Sequence, residues 1–368
     1  MATSRLRGAD AATVRRAIET GDPLPGTGGF AGDVDGLLVR DVLGREPLYL
    51  DDAGEGWSFD PAVLDDPELL DAGSVVETNG TRRGAWSLPS PEVEPDHHVA
   101  VDAVREAVLT SVRAQDPEGL AVAFSGGVDS AIVAAGAPEA PCYVAGFAGA
   151  ESHDESAARA AAAAMGRELR VVSFNHEDIE RAVPEIASAT GRTNAMDMQI
   201  ALPLYFVAEQ AAADGHDRLA VGQGADELFG GYRKVIDPAG DHRVEADSVR
   251  GATREVILTL PDQLPRDVLT LRTADVEPVA PLLHDRVVDA ALRLPADLLA
   301  TEQERKIALR LAAEGVVPES VRTAEKKAVQ YGTYAARELD RLARQAGFKR
   351  RMTDHVGQYV ESLVAGEL

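Results

Sequence analysis

Residues 120 to 130 read LAVAFSGGVDS, and this stretch decides the predicted fold. The apolar run from Leu120 to Phe124 is typical of a buried parallel strand, and the stretch from Val128 to Ala135 is compatible with a helix. The two glycines therefore fall at a turn from strand to helix. Such a turn suits an anion, because glycines let backbone N–H groups approach and the helix N-terminus carries partial positive charge.

The residue types in this turn indicate which anion it binds. The glycines leave room for phosphate oxygens, and the two serines carry hydroxyls that can donate hydrogen bonds to them. Asp129 would repel phosphate directly, so its predicted role is to hold Mg²⁺. We therefore predict a pyrophosphate-binding loop made of Ser125, Gly126, Gly127, Val128, Asp129 and Ser130. The alternative is a glycine-rich turn in which Ser and Asp only cap a helix. A phosphate loop of the GxxxxGK(S/T) type is absent, because the sequence has no Gly-Lys pair.

A second glycine-rich segment follows another predicted strand, Arg218 to Val221. It reads GQGADELFGGY over residues 222 to 232. Gly222 and Gly224 let the backbone come close to a ligand, and Asp226 suits a second Mg²⁺ ligand across the site from the first loop. A plain surface turn is the alternative interpretation.

The composition limits the class of protein. With 368 residues and 45% hydrophobic content, the chain is long enough for two folded domains. The formal net charge of −24 is spread along the chain, which is typical of the solvated acidic surface of halophilic proteins and disfavours nucleic acid as a partner. No apolar run approaches the roughly 18 residues of a membrane span, and Met1 to Ala11 has no signal-peptide core. We therefore expect a cytoplasmic protein.

Cysteine and basic residues are distributed unevenly. Cys142 is the single cysteine, so intramolecular disulfides are excluded, a zinc cluster is disfavoured, and a small core residue is predicted. Residues 305 to 351 hold twelve Lys or Arg against five acids. This basic stretch suits an anionic ligand, although a solvated basic helix face is the alternative.

The order of predicted elements indicates the fold class. Residues 87 to 96 contain three prolines and predict a linker between a first domain, 1–90, and a second, 91–368. After the linker, helices alternate with strands, and from about residue 250 the chain is predicted to be mostly helical. We expect an α/β fold with a doubly wound parallel sheet, whose ligands lie at the carboxyl ends of the strands. Ala145 and Gly146, near the end of the strand 142–147, are predicted nucleotide contacts on that basis.

These motifs together resemble the asparagine synthase family of amide ligases, from about residue 100 to Tyr334. The first loop is similar to the family's pyrophosphate (PP) loop, and GQGADELFGGY is similar to its GEGADELFGGY signature. Three further matches occur in the same order along the chain. Arg266-Asp267, Val276-Glu277 and the tripeptide 281–283 resemble the family's RD…VExRxPFLD segment. Residues Lys306 to Arg310 resemble its KxxLR helix, and residues Lys327 to Gly332 resemble the segment that carries its catalytic lysine.

The resemblance implies a PP-loop fold of the adenine nucleotide alpha hydrolase type and a reaction. A carboxylate, with aspartate as the first candidate, attacks ATP and releases pyrophosphate. Ammonia then attacks the resulting acyl-adenylate and gives an amide and AMP. ATP and Mg²⁺ are the implied cofactors. Lys327 would stabilise the negative charge on the five-coordinate phosphorus. Lys306 and Arg310 would add phosphate contacts, or lie on a helix surface.

The N-terminal residues depart from the family. Its full-length members begin with a glutaminase domain whose cysteine nucleophile follows the initiator methionine, whereas this chain has Ala2. Residues 39 to 49 and 73 to 77 still resemble the middle and end of that domain. We expect residues 1 to 88 to be a small, mostly β, inactive remnant. The nitrogen would then come from free ammonia, another amine or a separate ammonia donor. The sequence is also compatible with a homodimer.

Four substitutions bear on specificity. Gln223 stands where asparagine-forming members carry a glutamate that manages the proton of the amine, which a neutral amide cannot do. Val279 and His284 replace the Arg and Asp of ExRxPFLD, and Arg272 occupies a usually apolar position, where it binds a carboxylate or lies on a helix surface. The alternatives are therefore a PP-loop ligase for another acid, another amine or an RNA base, and a nucleotide-binding regulatory protein without turnover.

Overall fold

The computed structural model describes residues 5–51, 56–149, 153–324 and 332–367. Its strands are β1 Leu6–Arg7, β2 Ala31–Val34, β3 Leu37–Arg40, β4 Tyr49–Asp51, β5 Trp57–Ser58, β6 Pro67–Leu69, β7 Ser74–Val76, β8 Arg82–Gly84, β9 Leu120–Ala123, β10 Cys142–Phe147, β11 Leu169–Phe174, β12 Arg218–Ala220 and β13 Glu277–Val279. Its helices are α1 Ala11–Thr20, α2 His97–Arg113, α3 Val128–Gly136, α4 His153–Met165, α5 His176–Thr190, α6 Ala195–Ala213, α7 Ala225–Leu228, α8 Val249–Ile257, α9 Leu260–Thr273, α10 Asp285–Leu292, α11 Ala296–Leu299, α12 Ile307–Ala312, α13 Glu319–Arg322, α14 Gly332–Gln345 and α15 His355–Val364. No helix in this part of the chain combines the length and the apolar character needed to cross a membrane.

The chain divides into two compact units, each built from separate stretches of sequence. The first unit comprises Met1–Gln115, Gly222–Pro265 and Ala280–Val316, and the second comprises Asp116–Val221, Arg266–Val279 and Val317–Leu368. The domain boundary predicted near residue 90 stays a prediction.

The second unit contains a five-stranded parallel sheet with the order β11-β10-β9-β12-β13. The central strand β9 is buried at all four residues, as expected for a parallel strand covered on both faces. In chain order the strands run 3-2-1-4-5 across the sheet, so the order reverses beside β9. Ligands of open α/β sheets bind at such a reversal, outside the carboxyl ends of the strands. The predicted α/β fold with a parallel sheet is confirmed.

A buried ion-pair network fixes helix α9 to helix α6 in this unit. The Arg266 guanidinium donates to Asp267 Oδ1 and Oδ2 at 2.7 and 3.0 Å and to Asp197 Oδ1 at 2.8 Å. Burial raises the pKa of the Asp267 carboxyl, and the Arg266 charge opposes that shift. The Arg-Asp pair that resembled a family motif therefore lies in the core and stabilises the packing of two helices.

The N-terminal residues of the first unit are mostly β, as predicted. They form two antiparallel sheets, β1-β2-β3-β7-β8 and β5-β4-β6. A core of small and branched side chains supports them, made of Ala31, Leu48, Leu50, Leu70 and Val76. The segment after this region is packed rather than loose, because Arg254 of α8 donates to the carbonyls of Leu88 and Pro89.

Two buried arginines hold this β region to the rest of the first unit. Arg40 is 1% exposed and donates to four backbone carbonyls, including Pro261 O at 3.0 Å. Arg45 lies between two carboxylates, 2.8 Å from Asp41 Oδ1 and 2.7 Å from Asp285 Oδ1 at the start of α10. Burying three charged groups is favourable only because each charge has an opposite partner and further hydrogen bonds.

Candidate active site

The predicted phosphate loop joins β9 to α3 at the reversal point of the sheet. The N-cap of α3 is Gly127, which has no side chain to bond the first N–H groups of the helix. Gly126 has φ +77°, and a Cβ there would lie 2.8 Å from the main chain of Ala157 and Ala158 in α4. Only glycine fits this close approach. The loop is thus a narrow backbone turn at a helix N-terminus, which is the geometry that binds phosphate.

Ser130 shapes the loop from inside. Its Oγ is buried, accepts a hydrogen bond from Ser125 N at 3.1 Å, and donates to Gly127 O at 3.2 Å. The Ser125 and Ser130 hydroxyls lie 3.2 Å apart. This internal role was not predicted, and the predicted contact of these serines with phosphate stays a prediction.

Two other predicted nucleotide contacts lie near the end of the neighbouring strand β10. Ala145 and Gly146 are buried. A Cβ on Gly146 would lie 2.8 Å from Glu155 Oε2 and 3.1 Å from Val171 Cγ1. Gly146 therefore permits close packing of β10 against the Glu155 side chain, and its contact with a nucleotide stays a prediction.

The acidic segment GQGADELFGGY lies in the first unit and forms the short helix α7. Gly224, with φ +88°, caps this helix, and a Cβ there would overlap the side chain of Leu283. Gly222 and Gln223 are half-buried. The segment is therefore packed against the residues that precede α10, which excludes the alternative of a plain surface turn.

The Asp226 carboxylate of this segment binds a buried lysine. Lys306 Nζ lies 2.7 Å from Asp226 Oδ1, and the lysine side chain is 5% exposed. A Cβ on Gly231 would overlap Asp226 Oδ1 and lie 2.5 Å from Lys306 Cε. Gly231 therefore makes room for the ion pair. The alternative of a helix-surface position for Lys306 is wrong, because the residue is buried at the N-cap of α12 with φ +58°.

The neighbouring Glu227 has a different environment. It is buried, and the Tyr232 hydroxyl donates to its Oε1 at 2.6 Å. Burial, followed by the Asp226 charge, raises the pKa of the Glu227 carboxyl. The two adjacent carboxyl groups thus have different environments. Asp226 forms an ion pair with Lys306, whereas Glu227 holds a proton more tightly than an ordinary glutamate.

Two arginines flank the start of α12, Arg305 before it and Arg310 within the helix. Arg310 Nε donates to Arg305 O at 2.9 Å and lies 3.6 Å from Glu304 Oε1. Arg305 Nη1 donates to Gly231 O at 2.7 Å. Arg305 was not predicted as a site residue, although its position directly before Lys306 in the sequence could have indicated it. The contact of Arg310 with phosphate stays a prediction.

The substituted positions can be located in the structure. His284 is the N-cap of α10, where its Nδ1 accepts a hydrogen bond from Arg286 N at 3.3 Å, and burial lowers the pKa of the imidazole to about 4. Arg272 Nε lies 3.0 Å from Glu277 Oε2, so the carboxylate that it binds belongs to this chain. Val279 lies in β13, paired in register with Ala220.

Two carboxylates of the described residues fit a magnesium ion that is bound together with ATP. Among the described residues no three His, Cys, Asp or Glu side chains gather into a metal cage. A magnesium ion that arrives with ATP needs only one or two carboxylates besides the phosphates. Asp129 fits, because it lies half-buried in the first turn of α3. Asp226 offers a carboxylate whose Oδ1 already binds Lys306. The predicted residues Lys327 and Ala2 lie outside the described residues.

A parallel sheet with a glycine turn at its reversal point is typical of nucleotide-binding α/β proteins. Comparison with known families narrows this class. The family model described as asparagine synthase matches residues 101–269 and 242–363, so the chain belongs to the asparagine synthase family.

Three relatives illustrate the extent of the similarity. The protein named "putative asparagine synthetase (glutamine-hydrolyzing) 1" of Methanocaldococcus jannaschii is 27% identical over 302 residues, which cover 72% of this chain and 54% of that protein. The nodule asparagine synthetase (glutamine-hydrolyzing) of Pisum sativum is 25% identical over 229 residues, 53% of this chain and 38% of the pea protein. Asparagine synthetase (glutamine-hydrolyzing) 1 of Bacillus subtilis is 31% identical over 153 residues, 40% of this chain and 24% of its own length. The chain thus spans about half, or less, of the relatives it matches.

Proposed function

We propose that the protein is an ATP-dependent, AMP-forming amide ligase. It adenylates a carboxylic acid, aspartate by default, and transfers ammonia to the acyl group. The proposed fold of its second unit is a doubly wound PP-loop domain of the adenine nucleotide alpha hydrolase type. Family membership supports this reaction class.

The observation that carries the proposal is the SGGVDS turn. Its glycine N-cap, the left-handed backbone of Gly126 and the internal hydrogen bonds of Ser130 make a rigid turn at a helix N-terminus. Pyrophosphate is the leaving group of adenylation, and a turn that binds pyrophosphate stabilises the charge that develops as the leaving group departs. A kinase-type loop would instead favour transfer of the terminal phosphate.

Asp129 and Asp226 are the proposed ligands of Mg²⁺. When bound, the metal supplies positive charge to the phosphates of ATP. The position of Asp129 in the first turn of α3, next to the phosphate loop, supports this role. The 2.7 Å ion pair with Lys306 orients the Asp226 carboxylate.

The remaining site residues have proposed roles toward the phosphates and the amine. Lys327 would stabilise the transition state at the α-phosphorus. Lys306 and Arg310 would favour negative charge near α12, and their positions at the start of and within one short helix support a common role. Gln223 is proposed to lie beside the incoming amine, where its amide can donate or accept a hydrogen bond but cannot take a proton.

Ammonia is the proposed nitrogen donor for this chain. A glutaminase of this family uses a cysteine thiol, and Cys142 is the single cysteine in the sequence. Cys142 is fully buried in β10, and burial raises the pKa of its thiol. A buried, protonated thiol is a poor nucleophile. Ammonium salts are therefore expected to support amide formation, and glutamine is not.

The decisive experiment is exchange of labelled pyrophosphate into ATP in the presence of Mg²⁺ and a panel of carboxylic acids. Exchange that depends on one acid, with AMP as the product of the full reaction, is expected. Asp129→Asn should reduce exchange by at least about 10²-fold. The matched control is Asp116→Asn, at an exposed position before the amino end of β9. ADP and phosphate as products would remove the proposal, and ATP binding without exchange for any acid would favour a regulatory protein instead.

A further inference from the structure

The first unit contains a cleft made of residues that have no assigned role in the ligase reaction. It is an open cleft of about 230 Å³ between the chain segment after Leu88, helix α8 and the end of helix α10. Part of its wall is apolar, formed by Pro89, Pro91, Ile257, Leu292, Leu294 and Leu299. Such a wall favours a ligand with an apolar body.

Two arginines one helical turn apart also line this cleft. Arg250 Nη2 donates to Leu292 O at 3.1 Å, and Arg254 Nη1 donates to Pro89 O at 2.7 Å. Their partners in the described chain are therefore neutral carbonyl groups, and neither guanidinium forms an ion pair there. Arg293, which lies beside the cleft but does not line it, binds Asp289 at 3.0 Å.

The arrangement has an electrostatic consequence. Like charges at positions i and i+4 of a helix repel each other, and the carbonyl partners do not neutralise them. This pair of positive charges stands in a chain whose net charge is −24. An anion in the cleft would remove the repulsion and would use guanidinium N–H groups as charge-assisted donors.

We propose that this cleft binds a small carboxylic acid with an apolar body. A carboxylate matches the planar fork of a guanidinium, and the proline and leucine wall matches a short aliphatic chain or a single ring. A cleft of about 230 Å³ is smaller than typical sites for drug-sized ligands, which sets the size of the acid. Phosphate would satisfy the arginines and leave the apolar wall without a contact.

Isothermal calorimetry with the full chain tests the proposal. Benzoate and 4-methylpentanoate are the probes, and benzamide, 4-methylpentanamide and inorganic phosphate are the comparators. We expect the acids to bind at least tenfold more tightly than their amides, because only the acids offer the guanidinium groups a charged acceptor. If neither acid binds with a dissociation constant below about 10 mM, the proposal is overturned. Equal binding of phosphate would overturn the choice of a carboxylic acid.

Variants locate the binding in the cleft. Arg250→Gln should weaken binding of the acids at least tenfold, while Arg293→Gln, which removes a charge that does not line the cleft, should leave it unchanged. Ser90 is exposed at the rim of the cleft, so Ser90→Phe should block entry without changing any charge, even if Arg250→Gln fails to fold. Parent-like affinity in Ser90→Phe, or in a folded Arg250→Gln, would overturn the assignment. None of these residues has a proposed role in adenylation, so pyrophosphate exchange measured in parallel distinguishes failure of this site from failure of the proposed function.

Discussion

The Lys306 ammonium group lies 2.7 Å from Asp226 Oδ1, although the two residues are eighty positions apart in sequence. The lysine is almost completely buried. A buried ion pair contributes little over an apolar pair of equal size, but loss of one partner leaves a charge in a poorly solvated place. The pair therefore fixes the start of α12 to the acidic segment.

Lys306→Met should destabilise the protein by about 3 kcal/mol, because it removes the cation beside a half-buried carboxylate. Asp226→Asn should also destabilise. The double variant should be more stable than the sum of the single changes predicts, which urea denaturation of all four proteins measures as a coupling energy. Additive effects would show that the two side chains do not interact.

Gly231→Ala should displace this ion pair, because a Cβ there overlaps Asp226 Oδ1 and lies 2.7 Å from Asp226 Cα. We expect a loss of pyrophosphate exchange of at least tenfold together with a lower thermal midpoint. Gly84→Ala is the matched control, since Gly84 is exposed and nothing lies within 4 Å of its added Cβ. Full pyrophosphate exchange activity in Gly231→Ala would show that the reaction does not need this ion pair.

Gly126→Ala and Gly127→Ala should have different effects on the phosphate loop. The first places a Cβ 2.8 Å from the main chain of α4 at φ +77°, so it should lower the thermal midpoint and abolish ATP binding. The second meets only Ser125 Oγ, at 3.6 Å, and should leave the thermal midpoint unchanged. If phosphate approaches this backbone, Gly127→Ala should still weaken ATP binding in calorimetry. Parent-like ATP affinity in both variants would contradict the loop assignment.

Glu227→Gln should stabilise the protein above about pH 5. The folded pKa of Glu227 is raised by burial, so the folded chain binds the proton more tightly than the unfolded chain. Stability is therefore lost as pH rises from the ordinary glutamate pKa through the raised one. The glutamine variant lacks this loss, and its amide oxygen can still accept the Tyr232 hydrogen bond. Thermal midpoints between pH 4 and 8 measure the effect, with exposed Glu245→Gln as the control, and parallel curves for parent and Glu227→Gln would contradict it.

His284 should produce the opposite pH dependence. Its folded pKa of about 4 lies below the ordinary histidine value of about 6.5, so the unfolded chain binds the proton more tightly. This contribution to stability is present above pH 6.5 and is lost as pH falls through 4. His284→Asn, which keeps a capping side chain, should flatten this part of the profile. NMR titration of the imidazole should give a pKa near 4, and a value near 6.5 would refute the expectation.

The sequence predicted those parts of the fold that depend on local pattern. Strands β10 and β11 occupy the predicted residues 142–147 and 169–174. Strand β10 is a nearly continuous apolar run, as expected of a buried parallel strand, and the edge strand β11 contains a β-branched pair, Val171 and Val172. Strand β13 was not predicted, since it has three residues and one is Pro278, which cannot donate to a neighbouring strand.

The two-unit organisation and the ion pairs of the site were beyond sequence patterns. Both depend on contacts between residues far apart in the chain, such as Lys306 with Asp226 and Arg45 with Asp285. Periodicity reports which face of an element is buried, not which distant side chain meets it. The SGGVDS turn was predictable because its glycines, its cap and its helix are consecutive in sequence.

Asp285 accepts hydrogen bonds from Gly26 N, Thr27 N, the Thr27 hydroxyl and Arg45, and it is 1% exposed. All of these donors come from the β-rich residues before position 90. A protein expressed from residue 91 onward would lose all of these donors, together with the residues that contact this carboxylate. The N-terminal region is therefore part of the folding information of the first unit, because its backbone N–H groups and Arg45 satisfy a buried carboxylate that lies at least 240 positions further along the chain.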